Sequence, residues 1–403
     1  MKAKKLLILF LTSILSACGG ETLDPVDPDY KVFGDEIAGF IPEIGETKLL
    51  FKHSLEETVK DDGEDYFYNY CPSIKIEGED MHVYYCTNEE WGNITDFVGY
   101  RTGKVFNNKL HFKNEELVLA PTEDTWDRRH VCDPSVIRGE FKYEGEEYSY
   151  LMAYLGCVPS DCTLNETGIA VSKTPNGPWV KCNGTRKSDG APINPIVPYK
   201  DFNYASNSWG TGQPSVVSVD QKGRVMLFTT VGTKDGSFMN VREYDFSNIS
   251  EYRLIRETQR IFENGIVGNN KRINNGDLCY DKSAKRFYLV KGRSPFGGDE
   301  LTPNFIADQV DAYYVDASDY ENPFDIFFDN QRTESWNFFA TIDQSVTGYP
   351  RNHNTGLVTD EYGHMYKNDR ICIGTTSSQY GVAAAMSYLK TYRIYVTTFA
   401  IPE

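Results

Sequence analysis

Apolar and polar residues alternate in short runs along most of this chain, and polar turns separate the runs. The stretch HVCDPSVIRGEFKYEGEEYSYLMAYLG, which starts at His130, illustrates the pattern. A polar lead residue, Asp133, and a Pro-Ser turn precede an apolar strand, a polar hairpin and a strand rich in Tyr and Met. Period-two alternation between turn residues predicts β-strands. No long segment has the 3.6-residue apolar period of a helix, so the pattern predicts an all-β protein.

The same arrangement occurs five times. The other copies are CPSIKIEGEDMHVYYCTN from Cys71, GQPSVVSVDQKGRVMLFTTVG from Gly212, and the weaker NNGDLCYDKSAKRFYLVKGR from Asn274 and HNTGLVTDEYGHMYKNDRICIGTTS from His353. A strand–turn–strand repeat with a period of about 70 residues is typical of β-propellers. A β-sandwich with long insertions would not account for the repeat.

We therefore predict a five-bladed β-propeller with four antiparallel strands per blade. The innermost strands should begin near Pro72, Pro134, Pro214, Gly276 and Asn354.

The innermost strand of each blade lines the central channel, so the residue that leads it should lie at the channel mouth. These lead residues are Cys71, Asp133, Gln213, Asn274 or Asn275, and His353. One carboxylate, amides and an imidazole would form a small polar site. Asp133 is the one acid among the lead positions.

Three short motifs resemble five-bladed glycoside hydrolases of families 43, 32, 68 and 117. They are DPSVI at Asp133, VSKTPNGPWVKC from Val171 and GTGQPSVVS from Gly210. The resemblance extends from about Tyr66 to Glu403. It implies a propeller that hydrolyses glycosidic bonds with carboxylates.

Family 43 enzymes use an aspartate in blade 1 as the general base, a supporting aspartate in blade 2 and a glutamate in blade 3 as the general acid. By this resemblance Asp133 matches the second position, whereas Cys71 and Gln213 occupy the other two. His353 is the candidate proton donor, because family 117 also places a histidine among its proposed acids. Asp277 is the candidate second carboxylate. The competing interpretations are that Asp133 and Asp277 are turn residues and that His353 is a polar channel residue.

Several polar and aromatic residues are candidates for substrate binding, since aromatic faces and amides suit sugar rings. A solvated charged loop is the alternative for the segment around TWDRRHVCD. Glu89 and Glu90 are further acids that could reach the rim. The candidate substrate-binding residues are Trp126, Arg129, His130, Trp209, Gln213, Asn275 and Arg351.

The composition limits the kinds of partner and cofactor that we expect this protein to bind. A formal net charge of -17 repels phosphates, so we expect no nucleic acid. There is no Gly-rich phosphate loop, and we expect no cofactor. No cysteine pair has CxxC spacing, so we predict no metal site. Asp-rich turns leave structural calcium open, although none has EF-hand spacing.

The first residues resemble an export signal, with a basic start and the apolar run Leu6 to Leu15. The sequence Leu-Ser-Ala-Cys, ending at Cys18, resembles a bacterial lipobox, in which the cysteine is lipidated. An ordinary secretory signal with a chance cysteine is the alternative. Export also permits disulfides, and one bridge among Cys157, Cys162 and Cys182 is expected.

These features divide the chain into a signal peptide at 1–17, a lipidated cysteine and tether at 18–30, and a propeller domain at 31–403. We expect a protein that is lipid-anchored in the bacterial outer membrane and faces the periplasm or the cell surface. Its expected function is exo-acting glycoside hydrolysis of a poly- or oligosaccharide. The alternatives are a non-catalytic glycan-binding lipoprotein and a polysaccharide lyase on the same scaffold.

Overall fold

The computed structural model describes nine segments of the chain. Within them the protein is all-β, as predicted, with one short α-helix at Gln344–Thr347 and four 3-10 turns. The predicted signal, Cys18, and Glu89 and Glu90 lie outside the described residues. No helix in the described segments is long and apolar enough to span a membrane. The described segments are 26–54, 67–88, 94–159, 162–262, 265–266, 273–293, 306–332, 335–378 and 387–402.

The described strands form five antiparallel units, numbered here in chain order. Unit 1 contains β2 (Asn69–Glu77), β3 (Asp80–Asn88), β4 (Asp96–Phe106), β5 (Lys109–Phe112) and β6 (Glu116–Leu119). Unit 2 contains β7 (His130–Tyr143), β8 (Glu146–Cys157), β9 (Glu166–Ser172) and β10 (Val180–Lys181). Unit 3 contains β11 (Gly210–Ser218), β12 (Arg224–Thr233), β13 (Gly236–Asp245) and β14 (Arg253–Ile261). Unit 4 contains β15 (Asp277–Asp281), β16 (Arg286–Gly292), β17 (Val310–Asp316) and β18 (Asn337–Ile342). Unit 5 contains β19 (Arg351–Asp360), β20 (Arg370–Ser378), β21 (Arg393–Ala400) and β1 (Thr47–Phe51).

The first strands of the units close a ring. β2 contacts β7, β7 contacts β11, β11 contacts β15, β15 contacts β19, and β19 contacts β2. The last contact is a short parallel pairing, which includes Val358 with Ile74 and joins units 5 and 1 into one nine-stranded sheet. The other three units are separate four-stranded sheets. Unit 5 takes its outer strand, β1, from the N-terminal part of the chain.

Each junction between neighbouring units contains its own apolar core. Side chains from facing strands pack together there and leave water, which is the main favourable contribution to folding. Representative pairs across the five junctions are Tyr84 with Met152, Leu151 with Val216, Phe228 with Phe287, Val290 with Ile371, and Val83 with Ile394.

The lead residues share one backbone conformation. Cys71, Asp133, Gln213, Asn275 and Asn354 all have φ between 42° and 54°, a left-handed conformation that is uncommon outside glycine. In units 1, 2, 3 and 5 the antiparallel register shifts at this point. The lead position is therefore a bulge that turns the strand at the centre of the ring.

The structure corrects the predicted lead residue of unit 5 and selects one of the two candidates in unit 4. In unit 5 the left-handed residue is Asn354, and His353 precedes it. In unit 4 the left-handed residue is Asn275 rather than Asn274. The weaker repeats lack the Pro-Ser turn that marks the position in the first three units, which explains the one-residue shift.

Side chains two residues beyond the lead position link neighbouring units. The Ser73 hydroxyl accepts a hydrogen bond from Val136 N–H at 3.3 Å, and Ser135 accepts one from Val216 N–H at 3.1 Å. Ser215 accepts from Leu278 N–H at 3.0 Å, and Asp277 Oδ2 accepts from Leu357 N–H at 2.7 Å. We call these four residues the ring acceptors.

The fifth junction has no room for such a side chain. Gly356 occupies the equivalent position, and a Cβ there would lie 1.9 Å from the Pro72 carbonyl oxygen. Glycine therefore lets the two backbones approach closely enough for β19 to pair with β2.

Candidate functional site

Two cavities meet at the centre of the ring. The larger, which we call the funnel cavity, has a volume of about 550 Å³. The smaller, the ring cavity, has about 20 Å³ of space, enough for roughly one water molecule. Asp133 and Gln213 line both cavities, so the small one continues from the floor of the large one. The funnel cavity is therefore nearly closed at its base.

The funnel cavity brings together six of the residues predicted from the sequence, which come from units 2, 3 and 5. Asn275 and Asp277 line the ring cavity below it. Trp126 and Arg351 are not among the residues that line either cavity. Trp126 instead packs on Tyr154 within unit 2, with ring centroids 5.5 Å apart. The six residues are Asp133, His353, Arg129, His130, Trp209 and Gln213.

Asp133 is buried, with 6% of its surface exposed. Its backbone N–H donates to Cys86 Sγ at 2.9 Å, and the same thiol lies 3.8 Å from Oδ1. Burial raises the pKa of Asp133 from 3.8 to about 6, and the negative charge of Asp96 adds to the increase. Hydrogen bonds from Cys71 and two neighbouring thiols oppose it. A carboxyl group with this pKa can exchange a proton near neutral pH.

Asp96 is a second carboxylate in the funnel cavity, and the sequence did not indicate it. It begins β4, the third strand of unit 1, whereas the repeat pattern pointed to residues on first strands. His130 Nδ1 lies 3.1 Å from Asp96 Oδ2. The backbone N of Asp96 lies 2.9 Å from the same nitrogen, a contact that only a neutral ring could accept.

We favour the protonated ring of His130. Burial lowers the pKa of His130, but hydrogen bonds to Asp96 and Cys162 outweigh this effect and raise it to about 10. His130 Nδ1 therefore contacts both the backbone N–H and the carboxylate of Asp96 and orients that side chain.

His353 is in a different electrostatic setting. Burial lowers its pKa to about 3, so the ring is neutral near pH 7. Its Nδ1 accepts a hydrogen bond from Ala307 N–H at 3.2 Å, which leaves the proton on Nε2. Nε2 lies 2.8 Å from the side-chain amide of Asn275. A neutral imidazole of this kind positions a ligand or an amide more readily than it protonates a leaving group.

Asp277 is held by the ring rather than by the funnel. Its Oδ2 accepts the Leu357 N–H, the same contact that the serine ring acceptors make in the other units. Burial raises the pKa of Asp277, and the charge of buried Lys75 opposes the shift. The contact gives Asp277 a structural function that is independent of any substrate.

Thiols surround Asp133. Cys71 and Cys86 are buried, and their sulfur atoms and a carboxylate oxygen of Asp133 all lie within 4.8 Å of one another. Cys132 lines the funnel cavity beside them. The repeat pattern placed Cys71 and Asp133 together at the channel mouth, but it did not predict Cys86, which lies on the second strand of unit 1.

Two of the three cysteines among which one disulfide bridge was predicted lie near each other. Cys157 and Cys162 both line the funnel cavity, whereas Cys182 is buried in the core between units 2 and 3. All eight cysteines of the described segments are free thiols in this structure.

Comparisons with known proteins give structural likeness only. No protein-family model matches the chain, and no curated protein matches its sequence. A family 117 glycoside hydrolase of the marine bacterium Zobellia galactanivorans is 10% identical, with 92% of this chain and 91% of that chain covered and a TM-score of 0.49. An α-L-arabinofuranosidase of Podospora anserina in complex with cellotriose is 10% identical, with 92% and 98% covered and a TM-score of 0.49. An endo-arabinase of Bacteroides thetaiotaomicron is 12% identical, with 83% and 95% covered and a TM-score of 0.46.

Proposed function

We propose that this protein is a glycoside hydrolase that removes residues from one end of a poly- or oligosaccharide. The five units are then the blades of a five-bladed β-propeller, and the funnel cavity is its active site. The observation that carries the proposal is the presence of Asp133 and Asp96 in one cavity. Glycoside hydrolysis requires such a pair of carboxyl groups, one as acid and one as base or nucleophile.

Asp133 is the general acid in this proposal. Its raised pKa, about 6, keeps a useful fraction protonated at mildly acidic pH, which is the requirement for protonating the leaving oxygen. Its position at a bulge of the first strand fixes the carboxyl group at the floor of the funnel cavity. A rigid strand holds a catalytic group more accurately than a mobile loop does.

Asp96 is the partner carboxylate. His130 orients it through the 3.1 Å contact between Nδ1 and Oδ2. An ionised carboxylate can activate water or stabilise the positive charge of an oxocarbenium-like transition state. The two aspartates therefore have different neighbours: buried thiols surround Asp133, and His130 contacts Asp96.

Polar and aromatic groups around the carboxylates are suited to a sugar. Trp209 offers an aromatic face, while Arg129, Gln213 and Asn354 offer hydrogen-bonding groups on the same cavity wall. The nearly closed base of the cavity suits a chain end better than the middle of a polymer, which supports exo-action. His353 contributes a neutral imidazole that positions Asn275 and the substrate.

Localisation is part of the proposal. Lipidation at Cys18 would anchor the chain to a bacterial outer membrane, where a polysaccharide or oligosaccharide is accessible. The lipobox-like sequence is the support for this anchor. Direct metal analysis of the purified protein tests for structural calcium.

A glycan-binding protein without catalysis is the second candidate. The observation that favours it is that four of the five left-handed lead residues are not acids, namely Cys71, Gln213, Asn275 and Asn354. Such a protein would keep the funnel cavity and capture a sugar without cleaving it.

Release of reducing sugar from a panel of plant, algal and host glycans distinguishes the two candidates. Asp133→Asn and Asp96→Asn should each lower turnover by about 10²–10⁴-fold, the usual contribution of a positioned proton-transfer group. Asp316→Asn, on the outer part of unit 4, is the matched control and should keep full turnover. Glycan binding in the parent protein without any hydrolysis would instead establish the binding protein. Unchanged turnover in both funnel variants would contradict the proposed active site.

A further inference from the structure

Two thiols and one carboxylate form a compact cluster at the floor of the funnel cavity. Cys71 Sγ, Cys86 Sγ and an Asp133 oxygen lie within 4.8 Å of one another, and the Cys86 Sγ to Asp133 Oδ1 distance is 3.8 Å. All three residues are buried. The mechanism proposed above uses Asp133 of this cluster but neither of its thiols.

The spacing of these atoms suits a tetrahedral zinc ion. Zinc binds thiolate sulfur at about 2.3 Å and carboxylate oxygen at about 2.0–2.2 Å, so ligand atoms of one site lie about 3.5–3.8 Å apart. The observed separation of Cys86 from Asp133 is already in this range. The ligand atoms would therefore need to move only slightly to surround an ion.

The backbone holds the three ligands on separate, rigid elements. Cys71 and Asp133 lie at the left-handed bulges of β2 and β7, and Cys86 lies on β3. The Cys71 N–H donates to Thr376 Oγ1 at 3.1 Å, and the Asp133 N–H donates to Cys86 Sγ at 2.9 Å. Such supporting hydrogen bonds orient ligands in metal sites.

A tetrahedral ion needs a fourth ligand, and there are two candidates. Cys132 lines the funnel cavity next to Asp133 in sequence, but it lies outside the group whose ligand atoms are all within 4.8 Å of one another, so its thiol would have to move towards the ion. A water molecule in the cavity is the other candidate. Softness of the two sulfur ligands favours zinc over calcium or magnesium, which prefer oxygen.

We propose that Cys71, Cys86 and Asp133 bind a thiophilic divalent cation, represented by Zn²⁺, and that the bound ion occupies the Asp133 carboxylate that the proposed hydrolase uses. Metal binding stands on the cluster alone. Its inhibitory consequence rests on the proposed hydrolase function, because a carboxylate oxygen that ligates zinc is not available to the substrate.

Cobalt provides a direct test of binding, because a cobalt–thiolate bond produces a charge-transfer absorption in the near ultraviolet. Reduced, metal-free protein titrated with Co²⁺ under anaerobic conditions should develop this band at one equivalent, and Zn²⁺ should abolish it. Cys71→Ser and Cys86→Ser should each weaken the affinity at least about tenfold. Cys279→Ser and Cys372→Ser are matched controls, because these cysteines are also buried but lie in apolar cores.

Asp133→Asn is a further variant for the case in which the cysteine variants fail to fold. We expect it to fold, because Asn keeps the size of the side chain. It should retain a thiolate band but bind Co²⁺ about tenfold more weakly. Absence of a thiolate band in the parent protein overturns the proposal, as does full affinity in both cysteine variants. A disulfide between Cys71 and Cys86 in protein purified without reductant overturns it as well.

The inhibitory step has its own measurement. If the parent protein hydrolyses a glycan, one equivalent of Zn²⁺ should lower turnover at least about tenfold, and a chelator should restore it. Turnover in Cys86→Ser should no longer respond to Zn²⁺. Full turnover with zinc bound would overturn the inhibitory step. Failure of hydrolysis in the parent would contradict the proposed function while leaving the cobalt result unaffected.

Discussion

At the residue scale, the setting of Asp133 determines its chemistry. A left-handed bulge places the carboxyl group at the base of the funnel cavity, and burial makes its charged form unfavourable. A solvated turn aspartate would stay ionised at every pH at which proteins usually work. In the proposed mechanism, the same residue type therefore serves as a proton donor because of where the backbone holds it.

The pH dependence of turnover tests this assignment. The acid form of Asp133 is present below its pKa of about 6 and disappears above it. In the presence of a chelator, kcat/KM should therefore fall as the pH rises through about 6. A rate that instead increases through this range would show that Asp133 acts as a base.

Asp133 should also lower the stability of the metal-free protein near neutral pH. Its folded pKa of about 6 exceeds the ordinary 3.8, so its contribution to stability is fully present below about pH 4 and is lost as the pH rises through 6. The difference corresponds to about 3 kcal/mol at pH 7. Asp133→Asn should therefore unfold at higher denaturant concentration than the parent at pH 7, and the advantage should vanish at pH 4. Equal stability at pH 7 would contradict the raised pKa.

At the element scale, the first strands are tied together by their ring acceptors. Three serines and Asp277 accept a backbone N–H from the next strand, and Gly356 leaves the fifth junction to backbone pairing. A buried N–H without an acceptor is unfavourable by about 1–3 kcal/mol. Four of the five junctions therefore depend on a small polar contact as well as on an apolar core.

Substitution of Asp277 separates its structural contact from any catalytic contribution. Asp277→Ala should lower the free energy of unfolding by about 1–3 kcal/mol, because the Leu357 N–H loses its acceptor. Asp277→Ser copies the serine of the other units and should restore most of that stability together with full turnover. Loss of turnover in a stable Asp277→Ser variant would instead support Asp277 as a catalytic carboxylate.

The sequence predicted the elements that depend on local pattern. The Pro-Ser turn marked the bulges at Asp133 and Gln213, because turn chemistry is written in adjacent residues. Asp96 was missed because it reaches the funnel cavity on a third strand, which the lead-residue rule does not cover. Cys86 was missed because it lies on a second strand, β3, beside β2 in unit 1, and it meets Asp133 only when units 1 and 2 pack together.

At the scale of the whole molecule, five separate cores arranged in a circle replace a single central one. Every unit buries both faces against its neighbours, so the loss of one unit would expose two cores. We therefore expect the described body to unfold as a cooperative whole rather than unit by unit.

Attachment to a membrane is a separate proposal, which concerns the whole chain. Cys18→Ala should release the protein from the membrane fraction, because a lipid on this cysteine is the one membrane-binding feature that the sequence indicates. Fractionation of cells followed by immunodetection provides the measurement. A variant that still sediments with membranes would contradict lipidation as the anchor.

The pairing of β1 with β21 has a consequence for how the protein is made. Thr47 lies beside Thr397, 350 residues later in the chain. At about 5–20 residues per second, the ribosome needs roughly 20–70 s to produce the partner strand. During that interval Leu50 and Phe51, which are buried in the finished protein, remain exposed on an unpaired strand. We therefore expect a chain truncated before β21 to aggregate, because β1 then has no partner in unit 5.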